Sequence, residues 1–307
     1  MTTKNLLILI SGQTREFKSC IASHCKFINT FRNERLIHTD VEITITVLVN
    51  VWNESFSIFP KRYRSFIEDI STETVEKIVL PLRKLCNVVI NIVDICGAEE
   101  YVTALGTAGV DDFAYVAYLN NKALEAIMKI ENEVGHKFDY VLKIRPDLYI
   151  LPVVPAEFFW TVLNTTPAAV ALYGHTSPFN GPSSLASYVQ YNDCFELFGR
   201  IAFAAYGQML LTLNEGIVPV TPFLHTWVVA HMKLFGIDFL PIIGTIDFAI
   251  YRSTYSISRS TIPKAPNEMI KILRDIDKSW QTQIDDKSRD QFWLTLFDQR
   301  GIKYDLR

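Results

Sequence analysis

Apolar and polar positions first separate cleanly in residues 5–10, where Leu6, Leu7, Ile8, Leu9 and Ile10 run without a break. A run of that length and continuity predicts a parallel strand covered on both faces, ended by Ser11-Gly12-Gln13. Phe17, Ile21, Phe27, Ile28 and Phe31 then suit a helix over residues 15–31, and residues 41–49 alternate as a second strand. The order repeats with a helix over 72–85 and a strand over 87–93, where Val88, Val89, Ile90, Ile92 and Val93 are β-branched. The clearest stripe, Val116, Leu119, Ala123, Ile127 and Ile130, predicts a helix over 112–134 stopped by Gly135. It feeds a strand over 138–145 with Phe138, Tyr140, Leu142 and Ile144 on one face and Val141 among Asp139, Lys143 and Arg145 on the other. Pro146 ends it, having no N–H to give the ladder.

Strands alternating with helices in this way predict an α/β fold, a single Rossmann-like mixed, mostly parallel sheet flanked by helices. Beyond residue 151 the pattern loosens. Residues 168–173 read as a strand, 174–184 as a Gly/Pro/Ser loop suited to be a lid, and 192–203 as a strand or edge segment. Residues 206–213 and 223–234 read as helices and 239–251 as a final strand. After about residue 255 charge and proline rise, with amphipathic helices expected at 267–278 and 287–297. The expected organisation is one domain over 1–255 with a helical C-terminal appendage over 256–307 packed on it.

Composition narrows the function classes. Of 307 residues 49% are hydrophobic and 21% charged, enough apolar surface for a sizeable core. The 30 basic and 33 acidic residues leave a formal charge of -3, which argues against nucleic acid as a partner. No apolar run reaches the roughly 18 residues that span a bilayer, and the first apolar stretch is too short for a signal-peptide core, so no transmembrane segment and a cytoplasmic location are expected. Cys20, Cys25, Cys86, Cys96 and Cys194 are scattered with no C-x-x-C and read as reduced core thiols. The six histidines include no i, i+4 pair, so no zinc site is expected.

Ligands of open α/β sheets sit beyond the carboxyl ends of the strands, which directs attention to three spots. In Ser11-Gly12-Gln13-Thr14-Arg15, Gly12 lets backbone approach a ligand and Arg15 supplies a cation, although an ordinary strand-to-helix turn has the same composition. In Arg145-Pro146-Asp147 a carboxylate can hold a divalent cation and a guanidinium can grip a diphosphate, or the two can simply pair. In Asn192-Asp193 the carboxylate can act as a general base or form a turn. Trp52 and Tyr118 can stack on a base or sugar, or belong to the core; Tyr118, Asn121 and Lys122 share a helix side that is either solvated or faces a ligand.

Taken in order, Ile10-Ser11-Gly12-Gln13-Thr14-Arg15, Asn50-Val51-Trp52, the stretch from Phe138 through Arg145-Pro146-Asp147-Leu148, and Asn192-Asp193-Cys194-Phe195 resemble the small nucleotide-sugar-dependent glycosyltransferases of the glycosyltransferase-A type, known from surface-polysaccharide pathways and some large DNA viruses. The resemblance covers roughly residues 5–255. It implies transfer of a sugar, hexosyl or pentosyl, from a nucleoside diphosphate sugar such as a UDP-sugar to a hydroxyl of a glycan or glycoconjugate acceptor. The nucleotide would lie against Ser11, Gly12, Gln13, Arg15, Asn50, Trp52, Tyr118, Asn121, Lys122 and Arg145, with Asp193 as base if the reaction inverts. Where the wider fold has D-x-D for Mn²⁺ or Mg²⁺, this chain has Arg145-Pro146-Asp147, so either Asp147 holds the metal with the substrate phosphates or Arg145 neutralises the diphosphate itself. Asp275-Ile276-Asp277, the literal D-x-D, falls in an expected helix, and Leu224-His225 stands where such proteins often have Pro-Glu. The alternative reading is a non-catalytic nucleotide- or sugar-binding module. A hydrolase is weaker still, because no G-x-S-x-G elbow is present.

Overall fold

A computed structural model describes residues 3–14, 16–38, 41–56, 66–104, 111–150, 165–173, 195–210, 228, 231, 232, 234–242 and 248–250. The apolar runs become β1 (Thr3–Gly12), β2 (Glu42–Trp52), β5 (Asn87–Val93) and β6 (Tyr140–Ile144), all parallel neighbours in the order β5, β2, β1, β6. Beyond β6 the sheet continues through β9 (Phe195–Gly199), β8 (Ala169–Tyr173) and β10 (Asp238–Ile242). Only β9 runs against its neighbours, so the seven described strands form the mixed, mostly parallel sheet that the pattern predicts.

Strand alternation divides the interior in two. Leu6, Ile8, Ile10, Leu142 and Ile144 face α1 (Phe17–His38) and α2 (Thr72–Arg83), whereas Leu7, Leu9, Leu48 and Val141 face α4 (Asp111–Val134) and α5 (Arg200–Gly207). A third cluster around Trp52 packs against α3 (Ile95–Ala104) and the start of α4. Helix α2 begins where Ser71 accepts a bond from the Thr74 N–H, which satisfies one of its free donors. Two small ladders lie outside the main sheet, β3 (Glu54–Phe56) with β4 (Phe66–Asp69) and β7 (Leu148–Ile150) with β11 (Phe248–Ile250).

Several expectations change. Phe138 does not share a face with Tyr140, Leu142 and Ile144; it precedes the strand and packs on the α4 side, its N–H held by Glu131. The strand expected over 192–203 ends at Gly199 and lies inside the sheet, and α5 begins at Arg200, ahead of the helix expected from 206. The single strand expected over 239–251 is two, β10 and β11, in different sheets. Cys96 is exposed, not a core thiol, while Cys20 is buried and Cys25 and Cys86 are half-buried. Among the described residues no helix is long and apolar enough to cross a membrane. The expected lid, Cys194 and the C-terminal appendage lie outside the described residues.

Gly199 marks the strand-to-helix junction by its lack of a side chain. A Cβ there would stand 2.1 Å from the Thr166 carbonyl oxygen and 2.6 Å from that of Pro167. Those are backbone atoms that cannot rotate away. Gly199→Ala should therefore cost about 2–3 kcal/mol or more of unfolding free energy, read from urea denaturation; a loss below about 0.5 kcal/mol would show that the junction relaxes freely.

Candidate functional site

Strand β1 is flanked by β2, reached through α1, on one side and by β6 on the other, so strand order reverses beside β1. The crevice at such a reversal, beyond the carboxyl ends, is where open α/β sheets take ligands. Ser11 and Gly12 end β1 and Arg145-Pro146-Asp147 follows β6 at this point. Gly12 has φ +144°, and a Cβ on it would lie 3.0 Å from Cδ of Pro146. Glycine is thus favoured by conformation, and a Cβ would also press tightly on the proline ring.

Arg145 reaches back within its own turn. Its Nε and Nη2 donate to the two carboxylate oxygens of Asp147, each at 2.8 Å, and the Leu148 N–H closes the turn on the Arg145 carbonyl at 3.2 Å. Asp147 is 3% exposed, while the Arg145 side chain keeps 21%. This is a planar bidentate pair with its anion inside and part of its cation outside.

Helix α1 fixes the same turn from beneath. His24 lies 2.7 Å from the Leu148 carbonyl through Nε2, and Ser23 Oγ accepts the Ile150 N–H at 3.2 Å. A carbonyl only accepts, so Nε2 carries the proton; Nδ1 is left bare, buried and without a hydrogen-bond partner. Burial pushes the His24 pKa down to about 4 from 6.5, against the opposing pull of the Leu148 bond and the Asp147 charge. The imidazole is neutral at pH 7.

On the α4 face, Asn50 braces three strand ends and a helix. Its Nδ2 donates to Ser11 Oγ at 3.3 Å and to the Leu119 carbonyl at 3.1 Å, and its Oδ1 accepts from Asn91 at 2.7 Å. Trp52 is core, stacked on Tyr118 with ring centroids 6.4 Å apart and edge-on to Tyr115. Lys122 lies over the Tyr118 ring at 5.5 Å and pairs with Glu125. Asn121 turns toward α5 and donates to the Gly207 carbonyl at 3.2 Å.

The structure thus brings together Ser11, Gly12, Asn50, Arg145 and Asp147, with Gln13 next in the chain. Trp52, Tyr118 and Lys122 form a separate stack, and Arg15 and Asp193 lie outside the described residues. The sequence reading missed Thr14, Asn91 and Asn120. Thr14 Oγ1, Gln13 Oε1 and Asn120 Nδ2 are buried with no hydrogen-bond partner, a costly state that a bound polar ligand would relieve. Asn120 had a readable signal: it is the polar member of the buried series Ala117, Asn120, Leu124 and Ile127.

Asp147 already faces a cation in this arrangement. Both carboxylate oxygens are engaged by Arg145, and a metal there would sit beside the guanidinium charge. Among the described residues no three His, Cys, Asp or Glu side chains gather to hold a metal ion.

No protein-family model matches the chain, and no curated protein matches its sequence. Solved structures of similar fold include two glycosyltransferases. The galactosyltransferase LgtC, in complex with donor and acceptor sugar analogues, is 11% identical with TM-score 0.37, covering 77% of this chain and 72% of its own. Mouse xyloside xylosyltransferase 1, in apo form, is 11% identical with TM-score 0.37, covering 78% of each chain.

His24 gives this region a pH signature. Its folded pKa of about 4 lies below the unfolded 6.5, so on acidification the unfolded chain takes the proton first. Its stabilising contribution is whole above about pH 6.5 and is lost as the pH falls to about 4, by roughly 3 kcal/mol in total. His24→Gln should flatten that part of the stability profile in denaturation series. Parallel profiles for the two proteins would rule out a buried neutral imidazole.

Proposed function

We propose that this chain is a glycosyltransferase that moves a sugar from a nucleoside diphosphate sugar, of the UDP-sugar kind, to a hydroxyl of a glycan acceptor. The observation that carries the reading is the contact of Gly12 with Pro146, which joins the two motif segments from opposite sides of the strand-order reversal. The order of motifs along the chain supports it, and so do the unpartnered polar atoms of Gln13, Thr14 and Asn120.

In this reading the diphosphate lies over the Ser11-to-Arg15 turn, whose glycine admits backbone close to phosphate. Arg145 faces it with a guanidinium whose plane Asp147 fixes. Ser11 and Asn50 act by holding the strand ends, since the Asn50 amide is committed to Ser11, Leu119 and Asn91. During transfer the bond from the anomeric carbon to the diphosphate oxygen breaks and its electron pair leaves with the diphosphate. The acceptor oxygen forms the new bond, and in an inverting reaction its proton passes to Asp193. Positive charge held against the leaving group lowers the barrier because it acts on charge that develops in the transition state.

The non-catalytic reading draws on one observation, that Asp147 is closed by its own ion pair. Thermal shift against nucleoside diphosphates and their sugars, followed by transfer assays on the best binder, separates the two. A catalyst should turn over its donor; tight binding with no transfer or hydrolysis of any donor would leave a binding module. Arg15→Ala should weaken diphosphate binding by about tenfold or more in calorimetry while changing stability by no more than about 0.5 kcal/mol. Unchanged affinity in the folded variant would remove the turn from the nucleotide site.

A further inference from the structure

We propose that the cation facing a bound diphosphate in this protein is the Arg145 guanidinium itself, so that nucleoside diphosphate binding requires no divalent metal. The inference rests on the nucleotide-binding reading above and narrows it. Its ground is the way the Arg145–Asp147 turn is built.

Asp147 is the carboxylate where the resemblance expects a metal, and both of its oxygens accept from Arg145 at 2.8 Å. To ligate a cation as well it would have to share its single negative charge with the guanidinium or give up those bonds. The guanidinium would then stand beside the incoming positive charge with its own counter-charge taken away. The backbone leaves little room for that exchange. Leu148 is tied to the Arg145 carbonyl through its N–H and to His24 through its carbonyl, Pro146 is seated on Gly12, and Ser23 holds the Ile150 N–H. His24, neutral and fully buried, brings no charge to replace Arg145.

The same features suit Arg145 as a permanent cation. A guanidinium stays charged at every working pH and can grip phosphate through paired N–H groups in one plane. Two bonds to a buried carboxylate fix that plane, while part of the side chain remains exposed at the carboxyl end of the sheet. Asp147 is thereby a positioning residue for Arg145.

The test is calorimetry of uridine diphosphate and inorganic pyrophosphate binding to the full chain, once in chelator and once in Mn²⁺, with the free Mn²⁺ followed by its paramagnetic resonance signal. The expected dissociation constants agree within about threefold between the two conditions. Arg145→Lys and Asp147→Asn should each lose about tenfold or more in affinity, by the same factor with and without metal. Circular-dichroism melts identify any variant that fails to fold, and the wild-type comparison decides the question without the variants. Binding strengthened more than about tenfold by Mn²⁺, with the Mn²⁺ signal drawn into the complex, would overturn the inference and leave the nucleotide site standing. Failure of both probes to bind in either condition would overturn the nucleotide reading as well.

Discussion

The absence of a side chain at position 12 is the constraint on which the site depends. Because Gly12 leaves β1 at φ +144° and offers no Cβ, the Pro146 ring can settle against it. The turn after β6 is thereby brought over the end of β1, where strand order reverses. Any side chain there would have to adopt a strained backbone and displace the proline together. The Arg145–Asp147 pair then forms beyond the carboxyl ends of β1 and β6. His24 and Ser23 secure the residues that follow, and Asn50 secures β1, β2 and α4 from the other face. Rigidity comes from hydrogen bonds to backbone, whose positions the sheet already fixes.

Much of this fold was legible because local and global signals agree. Strand β1 is an apolar run, β2 alternates, β5 is rich in β-branched residues, α2 has a serine cap, and α4 has a long stripe with a glycine stop. The junction at Gly199 was not legible. Strand β9 is buried at all five positions, so its sequence carries no alternation, and Gly199 caps α5 with no side-chain bond. Glu196 is buried inside the sheet and Arg200 already belongs to α5, so no polar turn segment marks the passage from strand to helix. The division of β10 from β11 was hidden for a related reason: their partners, β8 and β7, are distant in sequence.

At the site, residue types were legible and partnerships were not. Ser11, Gly12, Arg145 and Asp147 could be chosen from strand-end position alone. That Asp147 pairs with Arg145 turned on a rotamer that a strand-end motif does not specify. Asn50 read as a ligand contact only through the resemblance, as the first residue of Asn50-Val51-Trp52. Its partners lie 39, 41 and 69 residues away, on elements whose approach only the fold determines. Trp52 offered two readings, and the company of Tyr115 and Tyr118 makes it core.

One further arrangement ties the sheet to the site. Within β6, two residues before Arg145 in the chain, Lys143 pairs at 2.7 Å with Glu196 directly opposite on β9. Both are buried, Lys143 also lying 5.3 Å from the Tyr206 ring. Such a pair is weak evidence for stability, because desolvating two charges offsets most of their attraction. Its effect on register is stronger. Slipping β9 by one residue would turn Glu196 to the opposite face and leave Lys143 opposite Phe195 or Leu197, a buried cation without its anion. The ion pair therefore penalises the wrong alignment of β9 more than it rewards the right one. In the aligned state Phe195 pairs with Ile144, the residue immediately before Arg145. A charge pair inside the sheet thus fixes the alignment of the strand that carries the site arginine at its end.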